Sequence, residues 1–257
     1  MAKILVERSG PVTSIIMNRP EVRNALDNEA IELLGDAFRE FEGDDDARVA
    51  VLAGVDGSFC AGADLKEMSK GANYVAWAGS HNGTLRTPLS KPLIAAVEGH
   101  ACAGGLGLSL FCDLRVVDKT AVFGVFSRRW GVPMSDGTTV RLPRLIGMSN
   151  ALDMLLTGRA IGAEEALQMG LANYVVAEGK ARVEAENLGR RVAEFPQIAT
   201  CSDRQSAYAQ LDLSLDDALL EEARLAQAAK EQEAQTGAAR FTQGAGRHGS
   251  FERERAP

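Results

Sequence analysis

The absences in this chain narrow its function first. It holds no run approaching the roughly 18 apolar residues that a bilayer span needs. Residues 1–20 scatter Lys3, Glu7, Arg8 and Arg19 among apolar positions. That pattern lacks a signal-peptide core and leaves the cytoplasm as the expected compartment. Cysteine is scarce: Cys60, Cys102, Cys112 and Cys201 lie far apart, with no C-x-x-C pair. Three of them sit in apolar surroundings, so buried free thiols are expected rather than disulfides or zinc ligands, and no metal site is. Positive charge is short as well, with 28 Lys and Arg against 35 Asp and Glu, a net charge of −7. A general nucleic-acid binder would carry a basic face, although a few local cations suffice for an anionic small ligand. Gly-x-Ser-x-Gly is missing and no histidine stands in a triad context, which sets a serine hydrolase aside.

What is present is an ordinary globular composition. The 257 residues are 46% hydrophobic and 25% charged, enough for one large domain or a domain with an appendage. The chain is organised around residues 91–113. There an apolar run, Leu93 to Val97, reads as a buried strand, and a glycine-punctuated turn leads into a segment at helical spacing from Gly104 to Phe111. Such a turn either permits tight strand-to-helix packing or aims the free N–H groups of a helix start at an anion or a developing oxyanion.

In chain order, residues 4–7 and 12–17 read as strands around Ser9-Gly10-Pro11. Ile31, Leu34, Phe38 and Phe41 recur at helical spacing, giving an amphipathic helix over 28–42 capped by Asp27 or Asn28. Residues 49–53 form the next buried strand, followed by a second turn and helix start over 56–68. Residues 69–90 carry little pattern and are expected to be a mobile connection. Further strands are expected at 114–117, 121–123 and 172–176. Helices are expected within 124–149 and at 150–157, 163–169, 180–194, 203–211 and 215 to about 235, with a loose tail from Gly237. Strand–turn–helix thus occurs at least twice, each turn at the carboxyl end of a strand, where α/β proteins place ligands.

Several motifs then fall in order: Asn24-Ala25-Leu26, the run from Phe59 to Met68, the 91–113 stretch, Gly137-Thr138-Thr139 with Arg141-Leu142-Pro143, and Leu156-Thr157-Gly158 through Ala166, Gly170 and Leu171. With them the sequence resembles the enoyl-CoA hydratase/isomerase (crotonase) family over about residues 3–195. The resemblance implies an α/β fold, a crotonase-like spiral of repeated ββα units over residues 1–195 holding an acyl-CoA pocket. Residues 196–257 would be C-terminal helices and a tail that build a homotrimer or a dimer of trimers. It implies a coenzyme A thioester as substrate, with no separate cofactor and with neither nucleic acid nor membrane as partner. Ala63 and Gly104 would supply the two backbone N–H groups of an oxyanion hole. Arg23, Ala25, Ala61, Asp64, Leu65 and Lys66 match positions that hold the coenzyme. Arg23 and Lys66 also read as plain surface charge, and Asp64 reads more simply as a helix cap.

The departures matter as much. Where hydratases of the family hold two glutamates, this chain has Gly107 and Ser127. A glycine transfers no proton, and an unaided serine is too weak a base. Simple hydration is therefore doubtful, and a non-catalytic acyl-CoA-binding oligomer stands as the alternative. Asp136 is the first candidate for replacing the lost acid, set against a turn Asp before Gly137. Arg128, Arg129 and Trp130 either bind an acyl group or pack structurally. Of Glu98 and His100, only one is expected to face the pocket.

Overall fold

The computed structural model describes residues 2–71 and 75–246. Residues 72–74 of the expected connection, and the tail beyond 246, lie outside the described residues. The chain divides into two compact units between Ala193 and Glu194.

The first unit opens with β1 (Ile4–Ser9) and β2 (Val12–Met17), an antiparallel hairpin. Helix α1 (Asn28–Gly43) follows, its start capped by the Asp27 carboxylate, which accepts the Ala30 N–H at 2.8 Å. Next come β3 (Val49–Gly54), the short α2 (Leu65–Ser69), β4 (Leu93–Val97), β5 (His100–Cys102) and α3 (Gly104–Phe111). The unit continues with β6 (Leu114–Asp118), β7 (Val122–Gly124), α4 (Thr138–Ile146), α5 (Met148–Thr157) and β8 (Ile161–Gly162). It ends with α6 (Ala163–Gln168), β9 (Tyr174–Val176) and α7 (Ala181–Ala193).

One sheet runs β1-β2-β3-β4-β6-β9, parallel throughout except at the first pair, and a smaller one runs β5-β7-β8. Strands covered on both faces read as continuous apolar runs, and β2 and β4 are buried at every position. Side chains alternate across β3. Val49, Val51 and Ala53 pack with Ala185 and Leu188 of α7, while Ala50 and Leu52 join the core containing Leu34 and Phe38 of α1 and Leu108 of α3. β4 then β5, and β6 then β7, each step from the large sheet to the small one before a helix. β3 does the same through a Cys60–Ala101 bridge before α2. This is the expected spiral of ββα units.

The second unit holds α8 (Gln197–Ala209), α9 (Leu215–Ala229) and α10 (Gln235–Thr242), the last two joined by a π-helical stretch over 230–234. The Glu233 carboxylate caps α8 by accepting the Ile198 and Ala199 N–H groups at 3.2 and 2.8 Å. Ala229 is the one buried apolar residue of this unit among those described, while Leu215, Leu219, Leu220 and Phe241 are exposed.

Three expectations need correction. β5 was hidden inside what reads as a glycine turn. α8 begins at Gln197 rather than near 203. The helical run passes through Gly237 to Thr242 instead of loosening there. The 69–90 connection has neither helix nor strand in its described part beyond Ser69, yet Trp77 and Leu85 bury themselves in the core and anchor it. All four thiols are free, with Cys201 only half-buried.

Candidate active site

Two turns approach each other at the ends of β3 and β5. In the first, the Cys60 N–H donates to His100 O at 2.8 Å and the Cys102 N–H donates to Cys60 O at 3.0 Å. Three residues on, Ala63 forms a parallel bridge with Leu26. The Leu26 N–H donates to Gly62 O at 2.8 Å, and the Asp64 N–H donates to Leu26 O at 2.9 Å. In such a bridge the neighbours of the bridged residue make both bonds, so the Ala63 N–H points away from Leu26. Side chains brace this arrangement from behind. Buried Asn24 donates to Ser58 O at 2.6 Å and Val55 O at 3.0 Å, and the Arg19 guanidinium pairs with both Asp64 and Asp27 at 3.0 Å. Asp64 also accepts the Lys66 N–H at 3.1 Å, capping α2.

The second turn is made by backbone strain. Ala103 holds φ 50° and ψ −118°, which is costly for a residue with a Cβ. It is pinned by its N–H donating to Gly124 O at 2.8 Å. Gly104 then starts α3, where the first N–H groups have no partner inside the helix. A Cβ at Gly62 would lie 2.9 Å from the Gly104 nitrogen, and one at Gly104 would lie 3.4 Å from the Ala63 nitrogen. The two amides are neighbours.

They sit in the wall of a cavity of about 190 Å³ lined by Arg23, Ala61, Ala63, Leu65, His100, Cys102, Ala103, Gly104, Phe126, Ser127, Trp130, Val132, Pro133, Met134 and Asp136. Six of the nine residues expected to bind or act on the thioester, Arg23, Ala61, Ala63, Leu65, Gly104 and Asp136, therefore meet there. Ala25, Asp64 and Lys66 do not line it. Ala25 is buried with its carbonyl bonded to Arg19, Asp64 serves the cap and the ion pair, and Lys66 is exposed on α2. A second cavity of about 330 Å³ borders Asp27, Glu29, Asp64 and Glu67. Its carboxylates are engaged by Lys3, Arg19 and Lys70, and it has no share in the paired amides.

Asp136 lies at the cavity's base, 2% exposed. Thr138 donates to its Oδ1 from the backbone N–H at 3.0 Å and from Oγ1 at 2.6 Å. A Cβ at Gly107 would meet Asp136 Cγ at 2.6 Å and Oδ1 at 2.8 Å. The carboxyl thus occupies the space that any side chain at 107 would need. Burial pushes its pKa up, opposed by the two Thr138 bonds and by nearby Arg141. Arg141 donates to Asp136 O at 3.3 Å and to Leu85 O at 2.5 Å, tying the Asp136 loop to the segment that carries Trp77.

Of the two candidates flanking the glycine turn, His100 lines the cavity, while Glu98 accepts the Ala181 and Arg182 N–H groups at the start of α7. Burial, and then the Arg23 charge, lower the His100 pKa, which favours neutral imidazole. Burial pushes Cys102 up to about 12, so it stays a thiol. Ser127 Oγ contacts Met134 Sδ at 3.4 Å. The Arg128–Trp130 cluster separates. Arg128 donates to Leu155 O at 3.1 Å, Arg129 stacks over Phe126 at 5.1 Å, and Trp130 alone reaches the cavity lip. Sequence reasoning missed Trp77 and the anchoring by Arg141. The one available signal was a lone Trp between glycines in an otherwise unpatterned run.

Comparison with known proteins follows the same lines. The sequence profile of the enoyl-CoA hydratase/isomerase family matches residues 7–247. The chain is 39% identical to the enoyl-CoA hydratase EchA19 of Mycobacterium tuberculosis over 202 residues, 76% of each protein. It is 34% identical to the (E)-benzylidenesuccinyl-CoA hydratase of Thauera aromatica over 221 residues, 84% of this chain and 86% of that one. Among solved structures, the enoyl-CoA hydratase EchA1 of Mycobacterium marinum superposes with a TM-score of 0.88 at 32% identity, covering 94% of this chain and 96% of that one.

Proposed function

The chain belongs to the enoyl-CoA hydratase/isomerase family, and from that premise we propose that it is an acyl-CoA-processing enzyme whose chemistry runs through a stabilised thioester enolate. The thioester carbonyl oxygen accepts hydrogen bonds from the Ala63 and Gly104 amides. These donors gain strength as negative charge develops on the oxygen, and one such donor is typically worth about 10²–10³ in rate. Arg23, Ala61 and Leu65, on the exposed side of the cavity, hold the coenzyme arm, with Ala25, Asp64 and Lys66 supporting the turn beside it.

The observation that carries this reading is the exchange of volume between Gly107 and Asp136. Where hydratases of the family place a glutamate, this chain leaves a gap and fills it with a carboxyl from another loop. Asp136 is the acid/base. Thr138 occupies Oδ1, so Oδ2 is assigned to proton transfer next to the thioester. With Ser127 at the other glutamate position, no second carboxylate among the described residues lines the cavity to activate water, and lyase chemistry on simple enoyl thioesters gives way to single-acid chemistry such as isomerisation. Crotonyl-CoA should be hydrated poorly. An ordinary hydratase rate on 2-enoyl-CoA substrates, unchanged by Asp136→Ala, would defeat the assignment.

One observation favours a second reading, a non-catalytic acyl-CoA-binding oligomer: the Asp136 carboxyl already serves the turn before α4 through Thr138. Tight binding of many acyl-CoAs without turnover or deuterium exchange would select it. In either case the exposed Leu215, Leu219, Leu220 and Phe241 of the second unit suit contact between copies, as a trimer or dimer of trimers, which light scattering on the eluting protein measures.

A further inference from the structure

Exposure is graded along the cavity. At one end Trp130 and Leu65 are 72% and 40% exposed, whereas Asp136 at the other is 2% exposed, and Trp77, also 2% exposed, packs behind the lining against Gly104. Gly104 lines the cavity, and Gly107, three residues on, lies on the same face of α3 behind the lining. Neither glycine leaves open space there. A Cβ at Gly104 would meet Trp77 Cζ3 at 2.5 Å and Cη2 at 2.8 Å, and one at Gly107 would meet the Asp136 carboxyl. The indole edge therefore lies against the backbone of one proposed oxyanion donor, close to the other. Its segment is held by backbone bonds, Leu85 N–H to Trp77 O at 2.8 Å and Ala78 N–H to Ser135 O at 3.3 Å, and by Arg141 on Leu85 O.

We propose that Trp77 is the floor of the acyl compartment and that the acyl group of the substrate is short. This rests on the thioester reading above. A coenzyme arm entering by the exposed end places the acyl group at the closed end, between the two amides and the indole. The cavity's 190 Å³ falls below the roughly 300–1,000 Å³ of sites that enclose drug-sized ligands. A long fatty chain running along α3 would have to displace a fully packed Trp. Beyond the reacting carbons the apolar lining includes Phe126, Val132, Pro133 and Met134.

Binding of saturated acyl-CoAs of increasing chain length, from butanoyl to dodecanoyl, tests this by titration calorimetry on the intact protein, with free coenzyme A as control. Each methylene that enters an apolar pocket should tighten binding about fourfold. In the wild type that gain should stop within the short chains. In Trp77→Ala it should continue to longer ones, and in Trp77→Leu, which retains more of the packing should the alanine variant fail to fold, the limit should move by a smaller step. A gain that continues through dodecanoyl-CoA in the wild type, or a limit unmoved in a folded Trp77 variant, overturns the proposal while leaving the thioester reading intact. If no acyl-CoA binds more tightly than coenzyme A itself, the thioester reading fails and takes this inference with it.

Discussion

The two turns that present Ala63 and Gly104 reach the same cavity by different physical means. The first is held largely by side chains: Asn24 on two carbonyls, Arg19 bridging Asp27 and Asp64, and Asp64 capping a five-residue helix. The second has no side-chain cap and is held by backbone and volume. Ala103 sits at φ 50°, and α3 is buried along its whole length. A polar network tolerates a change in side-chain size but not the loss of a charge. A glycine-packed turn does the reverse. Both solutions aim an amide, so substitutions should separate their failure modes.

The largest effect should come from Gly105→Ala. A Cβ there would lie 2.0 Å from Cys60 O, a backbone atom of the opposite turn that cannot step aside. Urea unfolding should show a loss of about 3 kcal/mol, at the upper end for overpacking. Near-wild-type stability would mean that the turns are not packed as described.

Arg19→Met should follow, with a loss of about 2 kcal/mol, because it strands Asp27 and Asp64 without their shared cation. Asp27 keeps Lys3 as a partner, which limits the damage. A double variant with Asp64→Asn should recover part of the loss, and the absence of any recovery would remove the ion pair from the account of the first turn.

Gly107→Ala differs from both. Its new methyl meets the Asp136 carboxyl, a side chain rather than backbone, so stability should fall by only about 1 kcal/mol. Displacing the proposed acid should lower turnover by about 10²-fold. Equal losses in stability and rate from Gly105→Ala and Gly107→Ala would erase the distinction between them.

The smallest effect concerns pH. Burial raises the Asp136 pKa in the folded state, so within the window between its unfolded and folded pKa values the native state binds more protons than the unfolded state. The Asp136 contribution to stability therefore falls as pH rises through that window. The hydrogen bonds from Thr138 and the charge of Arg141 oppose that shift without reversing it. Asp136→Asn should be more stable than wild type at neutral pH, with the difference vanishing below the unfolded carboxylate range. A gap that persists in acid would point to a cause other than titration. The catalytic rate should rise with pH about a midpoint above the ordinary Asp value.

Much of this architecture could be read without coordinates. The apolar runs of β3 and β4, the period of α1 and its Asp27 cap carry their structure locally. β5 does not, since three residues form a strand only because β7 and the Cys60 bridge lie beside them. Trp77 was illegible for the same reason: nothing in its neighbourhood repeats, and its burial is imposed by Gly104 far along the chain. Asp136 was legible as a residue type next to a glycine. Its fit into the space beside Gly107 was not, because that complementarity joins two separate segments.

Deuterium exchange at the carbon next to the thioester, measured by mass spectrometry on a short acyl-CoA in heavy water, bears most directly on the proposed chemistry. The account predicts exchange catalysed by the wild type and slowed at least about 10²-fold in Asp136→Asn, with acyl-CoA affinity retained. Exchange at the wild-type rate in that variant would contradict it.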